Sequence, residues 1–158
     1  MLIVPFQIND KTYAVDARVV KRVLPYCEPT ELLEGRLPVL GLTRYNGRMM
    51  PVIDLVQRLV GRPHLARLST RSFLVEIPYR GQWHPTLLLA EGVTGTRKLD
   101  PKRDNPTDPV LASDQTYLGE VLAHDGWLIQ MIEVEQLLDE PDYDDLFPTR
   151  QDVVVPDE

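Results

Sequence analysis

Cysteine occurs once in this chain of 158 residues, at Cys27. A lone thiol excludes an internal disulfide and a CxxC metal site. With Glu28 beside it and no basic neighbour to favour a thiolate, Cys27 reads as a small apolar residue. No apolar run approaches the roughly 20 residues that a spanning helix needs. The opening MLIVPFQIND lacks the basic n-region of a secretory signal and reads as a first strand. These absences suggest a soluble cytoplasmic protein. Glycine is also scarce: the nine present form neither GxxxxGK[ST] nor GxGxxG, so no phosphate-cradling loop is indicated. His64, His84 and His124 are not joined by HxH or HExxH spacing, which argues against a metal. Ser69, Ser72 and Ser113 lack the GxSxG elbow, so a Ser-His-Asp hydrolase stands only as an alternative assembled in three dimensions.

Charge is unevenly placed. The net charge is −7, and residues 139–158 hold eight acids against Arg150, so the first 138 residues balance. A neutral body with an acidic end is a poor match for a phosphate backbone. Nucleic acid is therefore not expected as the partner, unless arginines and aromatics cluster on one strand face. The stretch after Leu138, with Pro141, Pro148 and Pro156, suggests a flexible tail with short apolar clusters. Such a tail keeps a protein soluble or, less often, docks on a partner.

What is present is a succession of hairpins. Leu2–Ile8 and Thr12–Val15 flank Asn9-Asp10; Val39–Tyr45 and Arg48–Ile53 flank Asn46-Gly47. Ser72–Ile77 and Pro85–Ala90 flank a turn at 78–81, and Tyr117–Ala123 and Trp127–Ile132 flank Asp125-Gly126. Helices are few: one turn capped by Asp16, Leu55–Val60 capped by Asp54 with Gln57 completing a capping box, and Glu133–Leu138. Phe73, Val75 and Ile77 alternate as a half-buried strand should, as do Trp127, Ile129 and Met131. Gly61–Thr70 and Arg97–Thr116 read as irregular connections. The class is all-β, sandwich or barrel.

The segment RYNGRMMPVIDL (44–55) ends on a carboxylate, Asp54. A catalytic acid needs a second titratable group converging on it, and the sequence offers none nearby. An N-cap needs only the free N–H groups of the next helix, so the structural role is preferred.

GLTRYNGRMMPVIDL (Gly41–Leu55) resembles the most telling segment of the CheW-like family, the coupling modules of bacterial chemosensory arrays. Gly41, Gly47, Pro51, Val52, Ile53, Asp54 and Leu55 fall in its register. FQINDKTYAVD, the Val20 segment, LLLAEGVTGTRKL and YLGEVLAHDGWLIQMIEVEQLL follow in the family's order, so the resemblance covers about residues 3–138. It implies a domain at 1–138 made of two small SH3-like β-barrel subdomains sharing a hydrophobic core, then an acidic tail at 139–158. It implies no catalysis, no cofactor and no insertion into the membrane. It implies a cytoplasmic scaffold at membrane-associated receptor arrays, bridging a histidine kinase regulatory domain and the cytoplasmic tip of a chemoreceptor. By motif position, Val20, Met49 and Val93 are the apolar contact candidates, while Arg22, Arg44 and Asn46 select the partner. Gly41, Gly47, Pro51 and Asp54 are structural. Arg22 and Asn46 depart from the family's usual Glu and Arg, a linked change if an opposite-charge pair normally joins these strands. The Asn-Gly corner and RLSTRSFLV (Arg67–Val75) are similar to the Wsp-type surface-sensing branch, which governs cyclic-di-GMP synthesis.

Overall fold

A computed structural model describes residues 1–32, 39–100, 106–107 and 116–146. Four hairpins carry it, each turning on a corner with both φ angles positive. These are Asn9-Asp10 (51° and 63°), Asn46-Gly47 (50° and 76°), Arg80-Gly81 (50° and 74°) and Asp125-Gly126 (48° and 79°). That is the type I′ corner, whose twist matches the strands it joins. The paired strands are β1 (Leu2–Ile8) with β2 (Lys11–Asp16), and β5 (Gly41–Tyr45) with β6 (Arg48–Asp54). The later two pairs are β7 (Arg71–Tyr79) with β8 (Gln82–Ala90), and β11 (Leu118–His124) with β12 (Trp127–Ile132). The third turn is tighter than its sequence suggests, because Pro78 stays in β7 opposite Trp83.

Short edge strands complete two six-stranded sheets: β3 (Val20–Pro25), β4 (Glu31–Leu32), β9 (Arg97–Lys98) and β10 (Pro106–Thr107). The first sheet has the order β10-β11-β12-β2-β1-β9 and the second β3-β7-β8-β6-β5-β4. Both follow one plan. Two hairpins meet through their second strands, which run parallel: β12 beside β2, and β6 beside β8. The segment expected to be wholly irregular, Arg97–Thr116, thus supplies two edge strands.

Burial explains the plan. Ile3, Ala14, Leu99, Leu122, Ile129 and Met131 form a cluster inside the first sheet. Met50, Val52, Leu87 and Leu89 form one inside the second, with Leu24, Tyr45 and Leu74 packed against it. The opposite faces meet in a larger shared cluster: Val4, Phe6, Ile8, Tyr13 and Val15 from the first sheet, Ile53, Phe73, Val75, Ile77 and Leu88 from the second. Hence the central strands are apolar on both faces, and Leu87-Leu88-Leu89-Ala90 is a run rather than an alternation. A flat sheet would hold β3 and β5 four strand spacings apart, roughly 19 Å. Yet Arg22 Nη1 on β3 donates to the Tyr45 hydroxyl on β5 at 3.0 Å. The second sheet is therefore rolled.

Three further expectations change. Trp127 is 60% exposed, because it follows the Asp125-Gly126 corner at the hairpin tip, beyond the interior that Ile129 and Met131 fill. The helix expected at Glu133–Leu138 is a 3-10 turn over Val134–Gln136, with Leu137 and Leu138 buried in the shared cluster. Beyond the expected domain end, Glu140–Leu146 forms a helix, α2. Its Tyr143 stacks on Tyr79 at 4.8 Å between centroids and donates its hydroxyl to Glu135 O at 2.8 Å. Burial pushes that phenol up to about 12. Tyr79 donates to Asp144, and Arg80 pairs with Asp144 at 2.9 Å. Tyr143, Asp144 and Leu146 together anchor the segment. Residues 147–158, the rest of the acidic end, lie outside the described residues.

Candidate functional site

The motif segment builds the β5–β6 hairpin and the helix after it. Gly47, at φ 76°, has nothing within 4 Å of where a Cβ would stand, so its need is conformational. Gly41 is buried, paired with Val52 on one side and Leu32 on the other. Pro51 is buried one residue before the pairing with β8 begins at Val52, so its missing N–H costs that ladder nothing. Asp54 caps α1 (Leu55–Val60), accepting from Val56 N at 3.0 Å and Gln57 N at 3.3 Å.

Asp54 does have a titratable neighbour, contrary to the sequence reading. Its Oδ2 accepts from the His64 backbone N–H at 3.0 Å and lies 2.8 Å from His64 Nδ1. His64 Nε2 in turn lies 2.8 Å from the Tyr26 hydroxyl. The carboxylate accepts, so Nδ1 donates, and a neutral ring leaves Nε2 to accept from Tyr26. The chain of bonds resembles a triad in its first two members but ends on a phenol. Ser72, by contrast, is fully buried with its hydroxyl unpartnered, and Ser113 lies outside the described residues. Asp54 thereby ties the end of β6 to the return of the chain after α1 and to the end of β3. Among the described residues, no cluster of His, Cys, Asp and Glu is suited to a metal.

A second buried carboxylate, Glu91, is held in the same manner. Arg62 grips both its oxygens at 2.9 and 3.0 Å and reaches Asn9 at 3.1 Å, while Leu65 N–H donates to it at 2.7 Å. The Arg62 hydrogen bonds hold the Glu91 carboxyl below its usual value, outweighing the burial that would raise it. Asn9 belongs to the first sheet and Glu91 follows the second, so this clamp joins them. Gly92 beside it is pressed against Gln7, whose O would lie 2.7 Å from a Cβ.

The contact candidates divide. Val93 is only 9% exposed and packs into the shared cluster, its N–H donating to Ser69 O at 3.0 Å. Val20 is half-buried against the same cluster, and Met49 is 42% exposed. Arg44 faces Met49 across the hairpin, and Asn46 stands exposed at its corner. A bulge in β3 separates Val20 from Arg22: Val20 pairs with Val75, but Arg22 pairs with Leu74, whose side chain points to the second sheet's interior. Arg22 therefore emerges at the open rim of that sheet, against Tyr45. Tyr45 pairs directly with Arg48, so Arg22 and Arg48 share one face at the rim.

The sequence reading missed Tyr26, Tyr45, Arg48 and Arg62, and weighed His64 only as a metal ligand. Arg48 was recoverable, since a two-residue corner fixes its flanking residues, Tyr45 and Arg48, as a pair. Contacts that join distant segments, such as Tyr26 with His64, left no local signal.

The CheW-like domain family model matches residues 3–142. A protein of Rhizobium etli described as a probable chemotaxis protein CheW is 26% identical over 140 residues, 87% of each chain. A crystal structure of the scaffolding protein TtCheW from Thermoanaerobacter tengcongensis superposes with a TM-score of 0.72 at 24% identity, over 89% of each chain. In fold, the two sheets are accordingly two SH3-like β-barrel subdomains around the shared core. From motif, order of elements and family match alike, this chain belongs to the CheW-like domain family.

Proposed function

We propose that the chain is a non-enzymatic cytoplasmic adaptor, bridging the cytoplasmic tip of a chemoreceptor and the regulatory domain of a histidine kinase. The observation that carries this reading is the fate of the motif segment. It forms an exposed rim hairpin whose Arg44, Asn46 and Met49 face solvent, while its one carboxylate serves as an internal clamp. Apolar burial on a partner contributes ~25 cal/mol per Å², less the cost of association. The output, on the likeness of Arg67–Val75, is control of cyclic-di-GMP synthesis.

The test is assembly from purified parts: full-length chain, receptor cytoplasmic fragment and kinase regulatory domain from the native host, run together by size exclusion. A three-part complex is expected, and failure to bind either partner overturns the reading. Met49→Lys, at a 42% exposed position, should weaken binding without loss of fold. Val20→Lys should lower both, because Val20 also packs on the shared core. For the output, a deletion strain should change cyclic-di-GMP level with swimming unaltered; the converse assigns a motor pathway.

A further inference from the structure

The rim of the second barrel holds cations that have no counter-charge among the described residues. Arg22 donates to a neutral phenol, that of Tyr45, at 3.0 Å. Arg48 pairs with Tyr45 from the adjoining strand, and Arg44 lies beside it on the opposite face with Met49. Among the described residues, none of Arg22, Arg44 and Arg48 forms an ion pair. Glu76, two residues beyond Leu74 on the strand that pairs with β3, makes none with them either. Three other arginines do pair with carboxylates: Arg18 with Asp16, Arg62 with Glu91, Arg80 with Asp144. A guanidinium offers five N–H donors in a fork that fits a carboxylate with two parallel bonds. Arg22 spends one on Tyr45.

We propose that this rim is a carboxylate-binding edge, and that the chemoreceptor segment docking on it presents Asp or Glu side chains to Arg22 and Arg48. The inference rests on the reading above that a chemoreceptor tip docks here, and it names that tip's chemistry. An acidic protein segment fits better than a nucleic acid. Tyr45 is half-buried against the barrel interior rather than presented as a stacking platform, and the whole chain carries −7. The exposed apolar neighbours Met49 (42%) and Val23 (46%) suit a protein face.

The test measures binding of full-length protein to the receptor cytoplasmic fragment and, separately, to the kinase regulatory domain. Arg22→Glu and Arg48→Glu should each weaken receptor binding about tenfold or more and flatten its salt dependence. Kinase binding should not change, and Lys98→Glu on β9 of the other sheet should leave both affinities as they were. An Asp→Lys or Glu→Lys change in the receptor fragment should restore binding to Arg48→Glu. If the wild type binds receptor and both reversals bind equally well, the carboxylate edge is wrong while the adaptor reading stands. If wild type binds neither partner, both fall. The edge is also overturned if deletion of residues 147–158 tightens receptor binding only while Arg22 is present, which makes the chain's own acids the occupant. Retention of a single-stranded oligonucleotide at 0.15 M salt (~8 Å screening length), or an Arg22-dependent dimer by light scattering, overturns it too.

Discussion

Among the described residues the buried acids are saturated: Asp54, inside the second subdomain, and Glu91, at the join of the two sheets, each accept at least three hydrogen bonds. At the rim of the second barrel, Arg22 meets only a phenol, and Arg48 and Arg44 form no ion pair among the described residues. The difference is one of solvation. A carboxylate withdrawn from water must recover its lost hydration from fixed donors, so its neighbourhood is built around it. An exposed guanidinium loses nothing by standing alone, and its unused donors remain for another molecule. Charge that is fully answered maintains the fold. Unanswered charge is where a partner can be selected.

The sharpest way to break this comparison is Asp54→Ala. It strips two N–H groups of α1 and two donors of His64 of their acceptor in a 4% exposed pocket. Loss of a cap together with unsatisfied buried donors should destabilise by about 2–4 kcal/mol, read by urea denaturation. A cost below about 1 kcal/mol would show that water fills the site and that Asp54 is no clamp.

Glu91→Gln comes next, at about 1–3 kcal/mol, since it converts a gripped carboxylate into an amide that Arg62 cannot grasp with both forks. The pH response gives the sign. Arg62 lowers the folded carboxyl below its unfolded value near 4.5, so its stabilisation is full above that value and is lost as pH falls through the folded one. The acid limb of the stability curve should therefore be shallower in Glu91→Gln than in the wild type.

Local chemistry made much of the scaffold legible. Asn46-Gly47 and Asp125-Gly126 tolerate positive φ and announce their hairpins, and Asp54 ahead of Leu55 announces its cap. The pairing of barrels was implied only by resemblance, because β12 meets β2 across more than a hundred residues. The β3 bulge was equally hidden. V-x-R looks like one face until Arg22 slips to pair with Leu74. The acidic run after Leu138 misled through its average, since buried Tyr143, with Leu146 against the same core and Asp144 held by Tyr79 and Arg80, ties the segment down. Periodicity also failed at Trp127, whose place in the pattern is inward but whose position at the tip is not.

At the rim the expected effect on stability is nearly nil. Arg48→Glu alters an exposed side chain without an ion pair, so unfolding should shift by less than about 0.5 kcal/mol. A large loss of stability would mean that Arg48 belongs to the fold after all, and would collapse the contrast with Asp54.

A comparably small effect should appear at Glu133, where the sign reverses. Partial burial raises its carboxyl, and Glu135, Glu120 and Asp16 raise it further. A raised folded value means the unfolded chain ionises first, so this group's contribution is most favourable below about pH 4.5 and declines as pH rises through the folded value. Glu133→Gln should therefore stabilise at neutral pH and leave the protein unchanged near pH 3. Because the side chain is still exposed, the gain should be a few tenths of a kcal/mol at most. Thermal melts of Glu133→Gln and Glu91→Gln across pH 3–7 should diverge in opposite directions from the wild type. Parallel shifts would mean that the Glu133 carboxylate is answered by partners as fully as those of Asp54 and Glu91.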